Sequence, residues 1–129
     1  MPTLGLAHYN LRCNSDMLLN LRDFYVAAVG LEDGPRPAFG HHGYWLYAGD
    51  KDVLHLSEER PGDHRRSGTD LTFDHVAFKC THSPEYKTRL KNLGIRFYEQ
   101  RVPGSGLLQL FFRDPAGNGI ELLFPAEES

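Results

Sequence analysis

The sequence predicts an α+β fold made of two copies of one βαβββ unit, because three observations agree. Strand-like alternation and helix-like spacing of apolar residues appear in the same order in the two halves of the chain. A polar segment without an apolar period, about residues 58–72, separates the halves as a linker. Corresponding residues recur 64 to 67 positions apart: His8 with His75, His55 with Glu121, and Gly30 with Gly94. An internal duplication accounts for all three observations.

The first module is predicted to span about residues 4–57. Residues 6–12 alternate as a half-buried strand does. Asn14, Ser15 and Asp16 are suited to cap a helix. An apolar stripe at spacings of three and four covers residues 17–29, and Gly30 is placed to end that helix. Two further strands, rich in aromatic and aliphatic residues, are expected at residues 44–47 and 53–56.

The second module is predicted to span about residues 73–125. It begins with a strand at residues 73–78, followed by a helix with Ser83 as its N-cap and Pro84 in its first turn. Gly94 is placed to end this helix. Three more strands are expected, at residues 95–98, 107–112 and 120–124.

Composition excludes several classes of protein. A chain of 129 residues with 40% hydrophobic content suits one compact domain. The formal net charge is −3 and the basic residues are scattered, which argues against a nucleic-acid partner. No apolar run approaches the roughly 20 residues of a membrane helix, and the start of the chain does not resemble a signal peptide. With only two cysteines, we expect a cytoplasmic protein rather than a disulfide-stabilised one.

Four residues suited to bind a metal ion fall on predicted strands. Alternation gives each of these strands an apolar face for packing and a more polar face that carries one such residue. Burying these imidazoles and this carboxylate without partners would cost several kcal/mol each, whereas one divalent ion satisfies them all. Nitrogen and oxygen ligands suit Zn, Ni, Co, Mn or Fe(II). The predicted ligands are His8, His55, His75 and Glu121.

Several segments together resemble the vicinal oxygen chelate superfamily, which includes glyoxalase I, extradiol dioxygenases, methylmalonyl-CoA epimerases, fosfomycin-resistance transferases and bleomycin-binding proteins. The resemblance covers nearly the whole chain. The most specific segment is the Asp-Pro-Ala-Gly-Asn-Gly-Ile-Glu-Leu ending. The segments that carry the resemblance are residues 24–25, 30–31, 74–78 and 114–122.

The resemblance implies that the sheets of the two modules form an open, cupped barrel around a metal cleft. It places metal ligands at His8, His75 and Glu121. The fourth position, on the closing strand of the first module, usually holds Glu or Gln but here holds His55, which either binds the ion or only lines the pocket. With one carboxylate, a divalent site would carry a charge of about +1, which favours an anionic substrate.

The resemblance also implies three alternative functions. In the favoured one, the metal chelates two vicinal oxygens of a small substrate, as in glyoxalase-like lyases or isomerases, and Glu121 leaves the metal to act as the catalytic base. If His55 does not bind, a third open position favours an extradiol-type Fe(II) dioxygenase. The third alternative is a non-catalytic, antibiotic-binding resistance protein.

Three further residues are candidate substrate contacts. Trp45 could stack on a substrate, although an aromatic residue on a strand is often part of the core. Arg101 and Gln109 flank a glycine-rich turn and are either substrate contacts or ordinary surface residues. The resemblance further implies a homodimer, in which a site could be formed within one chain or shared between two.

Overall fold

The computed structural model describes residues 4–62, 73 and 75–127. Contacts between Cα atoms divide the chain into two compact units, Met1–Ser67 and Gly68–Ser129. Most of the predicted linker, residues 63–72, lies outside the described residues, and so does Asp74 of the strand predicted at residues 73–78.

The first unit has the order βαβββ. Its sheet has the strand order β1-β4-β3-β2, in which β1 runs parallel to β4 and the other neighbours are antiparallel. Its elements are β1 (Tyr9–Cys13), α1 (Ser15–Phe24), a π-helix that continues α1 (Tyr25–Val29), β2 (Glu32–Gly34), β3 (Gly43–Ala48) and β4 (Lys51–Glu58).

The predicted signals for the ends of the first helix are confirmed. The Asn14 side chain accepts a hydrogen bond from the backbone N–H of Met17 at 2.9 Å, which satisfies one of the donors that a helix N-terminus leaves unpaired. Gly30 ends the helix at a φ of 89°, a left-handed conformation that glycine adopts without a steric penalty.

The two faces of the first sheet differ in character. Residues that are cross-strand partners share a face, so Tyr9 lies beside the fully buried Leu54. His55 lies on the opposite face with its partners Asn10 on β1 and Trp45 on β3. The fully or almost fully buried side chains of this unit include Leu18, Leu21, Tyr25, Leu46, Leu54 and Leu56.

The second unit repeats the order βαβββ. Its sheet has the strand order β5-β8-β7-β6, in which β5 runs parallel to β8. Its elements are β5 (His75–Lys79), α2 (Ser83–Asn92), β6 (Tyr98–Arg101), β7 (Leu108–Arg113) and β8 (Gly119–Phe124). The predicted α+β fold with two βαβββ modules is therefore confirmed. Over the described residues, neither sheet closes on itself into a barrel.

Some local predictions were wrong. Strand β2 was not predicted, because its three residues carry no apolar alternation and are defined by pairing with β3. The first strand begins at Tyr9 rather than at residue 6, so that His8 lies just before it. The sixth strand starts three residues later than predicted, where pairing with β7 begins. His82, with a φ of 65°, takes the N-cap position predicted for Ser83.

Among the helices of the described residues, none combines the length and apolar character that crossing a membrane requires.

Candidate metal site

His55 lies between two aromatic rings in the first unit. Its ring stacks on His8 with a centroid distance of 3.7 Å and an angle of 16° between the planes. It also stacks on Trp45 at 4.0 Å and 7°. The cross-strand pairing of Trp45 with His55 explains the second contact, since paired side chains on one face lie about 5 Å apart. The His55 side chain is only 12% exposed, so its ring plane is fixed.

A hydrogen bond to Asp52 fixes the rotation of the His55 ring within its plane. Oδ2 of Asp52 lies 2.6 Å from Nε2 of His55. The hydrogen bond from His55 favours the ionised carboxylate and lowers the pKa of Asp52 below its ordinary value. The stacking and this hydrogen bond together fix both the plane and the rotation of the His55 imidazole.

A β-bulge explains how Asp52 reaches His55. In a regular strand, residues three apart point to opposite faces. Leu46 pairs with Leu54 and Ala48 pairs with Lys51, so the single residue Tyr47 on β3 faces two residues on β4. The extra residue redirects the Asp52 side chain toward the face that carries His55.

The three polar side chains of this cluster are suited to a divalent ion. One ligand atom each from His8, Asp52 and His55 can be chosen so that all three lie within 4.8 Å of one another. Two imidazoles with one carboxylate form a ligand set that suits Zn, Mn or Fe(II). The first unit therefore contains a His/Asp group that could hold a metal ion.

The second unit brings His75 and Glu121 together. Nε2 of His75 lies 3.2 Å from Oε1 of Glu121, and their side chains are 40% and 8% exposed. The other carboxylate oxygen of Glu121 accepts a hydrogen bond from Nε2 of Gln109 at 3.1 Å. Glu121 lies on β8 between Ala77 of β5 and Phe111 of β7, which explains its burial.

The structure positions each of the three predicted substrate contacts differently. Trp45 stacks on His55, as described above. Gln109 donates to Glu121 and accepts from Gln100 at 3.1 Å, so it belongs to the surroundings of a predicted ligand. Nη1 of Arg101 donates to the backbone carbonyls of Gly106 and Ala126, both at 3.0 Å. A role of any of them in substrate binding stays a prediction.

Asp52 is the residue that sequence reasoning missed. Strict alternation assigns it to the face opposite His55, and nothing in the apolar pattern reveals the bulge that changes this. The only available signal was its chemistry: an acidic residue next to a turn and three positions before a candidate ligand.

Comparison with known proteins gives matches in structure only. No family model matches the sequence. No curated protein matches it either.

Solved structures match almost the full length of the chain. A glyoxalase family protein from Bacillus anthracis has a TM-score of 0.75 at 22% identity, with 95% of this chain and 96% of that chain covered. The fosfomycin resistance protein FosX from Listeria monocytogenes, in complex with Mn(II) and 1S,2S-dihydroxypropylphosphonic acid, has a TM-score of 0.67 at 19% identity, with 94% and 92% covered.

A third match is TnmS3, an antibiotic binding protein from Streptomyces sp. CB03234. It has a TM-score of 0.70 at 20% identity, with 97% of this chain and 98% of that chain covered. At these identities the likeness concerns the fold, which enzymes and binding proteins share. The chain therefore shares its two-module α+β fold with these solved structures.

Proposed function

We propose that the protein is a metal-dependent enzyme of the glyoxalase/dioxygenase type, in which a divalent ion chelates vicinal oxygens of a small substrate. The proposed ligands are His8 and His55 of the first unit and His75 and Glu121 of the second. One observation carries the proposal. In each unit, two metal-competent residues from the first and last strand regions have come into contact, His8 with His55 and His75 with Glu121.

We favour glyoxalase-like lyase or isomerase chemistry within this class. A bound divalent ion would supply a Lewis acid that stabilises negative charge on the substrate oxygens. Four protein ligands would leave room on the ion for one bidentate substrate. Three of these ligands are neutral imidazoles and one is a carboxylate, so a divalent site would carry a charge of about +1. Such a site favours an anionic substrate.

Glu121 is the proposed base. Its carboxylate is almost fully buried and its oxygens are in contact with His75 and the amide of Gln109. A buried carboxylate with fixed partners is held in one orientation, which proton transfer to and from a bound substrate requires. In this role Glu121 takes a proton from the carbon next to a substrate oxygen and returns it to the neighbouring carbon.

An extradiol-type Fe(II) dioxygenase is the second candidate. The observation that favours it is the contact between Asp52 and Nε2 of His55. If this contact keeps His55 from binding the ion, two imidazoles and one carboxylate remain and a third position opens for O2.

A non-catalytic binding protein is the third candidate, and the likeness to the antibiotic-binding TnmS3 favours it. The four candidate metal ligands argue against it, because a binding protein without a metal ion would not need them. These ligands are His8, His55, His75 and Glu121. The proposal also includes a homodimer, on the family resemblance, and a cytoplasmic location, on the low number of cysteines. The proposed ion is one of Zn, Ni, Co, Mn and Fe(II).

The test is a substrate screen with the protein loaded in turn with Zn, Ni, Mn and Fe(II), under aerobic and anaerobic conditions. The proposal is supported by metal-dependent turnover that needs no O2 and is lost in Glu121→Gln. The substrates to test are the hemithioacetal of a 2-oxoaldehyde and a thiol, and other small molecules with vicinal oxygens. Strict dependence on O2 supports the dioxygenase instead. Stoichiometric binding of an antibiotic by metal-free protein without turnover contradicts both.

A further inference from the structure

We infer that Asp52 is a metal ligand, which together with His8 and His55 gives the first unit three ligands for the proposed ion. This inference rests on the proposed function and adds to it a carboxylate that the sequence pattern conceals.

The distance between Asp52 and His55 is consistent with two atoms that bind one ion. Metal–ligand distances of about 2.1 Å place neighbouring ligand atoms about 3 Å apart in an octahedral site. Oδ2 of Asp52 and Nε2 of His55 are 2.6 Å apart. The two atoms would have to separate by a few tenths of an ångström to bind one ion, which a small rotation of the Asp52 side chain allows.

The surroundings of the two histidines restrict the movement of the proposed ligands before an ion binds. His55 cannot rotate freely between the rings of His8 and Trp45. Because the chosen ligand atoms of His8, Asp52 and His55 lie within 4.8 Å of one another, small side-chain movements suffice to bring them around one ion. Ligands that are already ordered lose little conformational entropy on binding.

The bulge on β4 gives a structural reason to regard Asp52 as part of a site. Bulges are frequent next to functional sites, where they redirect a side chain. Here the extra residue brings a carboxylate to the face of the sheet that carries His55. A regular strand would have pointed this carboxylate toward the face of Leu54, which is fully buried.

A carboxylate at this position changes the chemistry of the proposed site. With Asp52 and Glu121 both ionised, the formal charge of a divalent ion and its carboxylates is zero rather than +1. Asp52 would also keep a carboxylate on the ion if Glu121 leaves it to act as a base.

The experiment compares Asp52→Asn with Asp50→Asn, a matched control on the exposed turn before β4. Each metal-free variant is titrated with Co(II) in competition with a chelator of known affinity. We expect Asp52→Asn to bind Co(II) at least ten-fold more weakly than the wild type, and Asp50→Asn to bind equally well. The visible absorption of bound Co(II), which depends on the number and type of ligands, is expected to change in Asp52→Asn only.

Three outcomes separate this inference from the proposed function. Weaker binding in Asp52→Asn with an unchanged Co(II) spectrum means that Asp52 only orients His55, and it overturns the inference. Equal Co(II) affinity of the two aspartate variants overturns it as well. In that case, tight Co(II) binding by the wild type that is lost in Glu121→Ala leaves the proposed function intact. A wild-type protein that binds no Co(II) overturns both. If Asp52→Asn does not fold, Asp52→Ser replaces it, with circular dichroism as the check.

Discussion

His55 lies between His8 on one face and the only tryptophan of the chain, Trp45, on the other. This arrangement turns Trp45 into an optical reporter of the first unit. A paramagnetic ion bound to His55 would lie within a few ångströms of the indole and quench its fluorescence.

We therefore predict that Ni(II) or Co(II) quenches the tryptophan fluorescence of the metal-free protein in a saturable way. In His55→Ala most of this quenching is expected to disappear. His82→Asn, a change at an exposed histidine of the second unit, serves as a control for non-specific binding to surface imidazoles. Equal saturable quenching in wild type and His55→Ala would show that the ion binds elsewhere.

Gln109 was predicted as a substrate contact, but its hydrogen bond to Glu121 also predicts a contribution to the stability of the fold. Replacing it with leucine removes the donor to a carboxylate oxygen whose side chain is 8% exposed. A buried acceptor that loses its donor costs about 1–3 kcal/mol, so the free energy of unfolding of Gln109→Leu should fall by that amount.

Urea denaturation measures this effect, with Gln100→Leu as the control. Gln100 is exposed and its side chain donates to Gln109, so a much smaller loss is expected there. A Gln109→Leu variant as stable as the wild type would mean that the hydrogen bond to Glu121 contributes nothing to the fold.

The residue types of the site could be predicted from the sequence, but not all of their contacts. The repeat indicated His55 and Glu121 because they occupy corresponding places in the two modules. Gln109 was predicted as a substrate contact, and its bond to Glu121 depends on the register between β7 and β8, which apolar alternation does not specify.

At the level of elements, the carboxylate of Glu58 ties the end of β4 to two other segments. It accepts a hydrogen bond from the backbone N–H of His42 at 3.0 Å and one from the hydroxyl of Ser15 at 3.2 Å. The first of these contacts is the main reason why the pKa of Glu58 is lowered.

A lowered pKa in the folded state makes stability depend on pH in a known direction. The contribution of Glu58 is present above the pKa of the unfolded chain and is lost as the pH falls through the lower pKa of the folded state. We predict that Glu58→Gln loses less free energy of unfolding between pH 7 and pH 3 than the wild type does. Glu59→Gln is the control, and an identical pH dependence of wild type and Glu58→Gln would refute the prediction.

Elements with a strong periodic pattern could be predicted, and short or irregular ones could not. The helix from Ser15 to Val29 has an N-cap, an apolar stripe and a terminal glycine, all local signals. Strand β2 and the bulge on β4 are defined by pairing with β3, a non-local interaction that leaves no period in the sequence.

On the scale of the whole molecule, the duplication is the feature that the sequence shows best. Both units have the order βαβββ, and in both the first strand pairs in parallel with the last. This shared topology brings the start of each unit beside its closing strand. It explains why His8 meets His55 and why His75 meets Glu121.

The two pairs are not equivalent in chemistry. The first consists of two imidazoles with Asp52 beside them, and the second of an imidazole and a buried carboxylate. In the proposed function both pairs bind the metal ion, and Glu121 alone transfers a proton.

The metal content of the purified protein tests the central claim most directly. Elemental analysis by mass spectrometry should find about one divalent ion per chain in the wild type. The variants His8→Ala and Glu121→Ala should each retain much less, while circular dichroism shows that they are folded. A well-folded wild-type protein that contains no metal, and that takes up none when Zn, Ni, Mn or Fe(II) is added, would contradict the account.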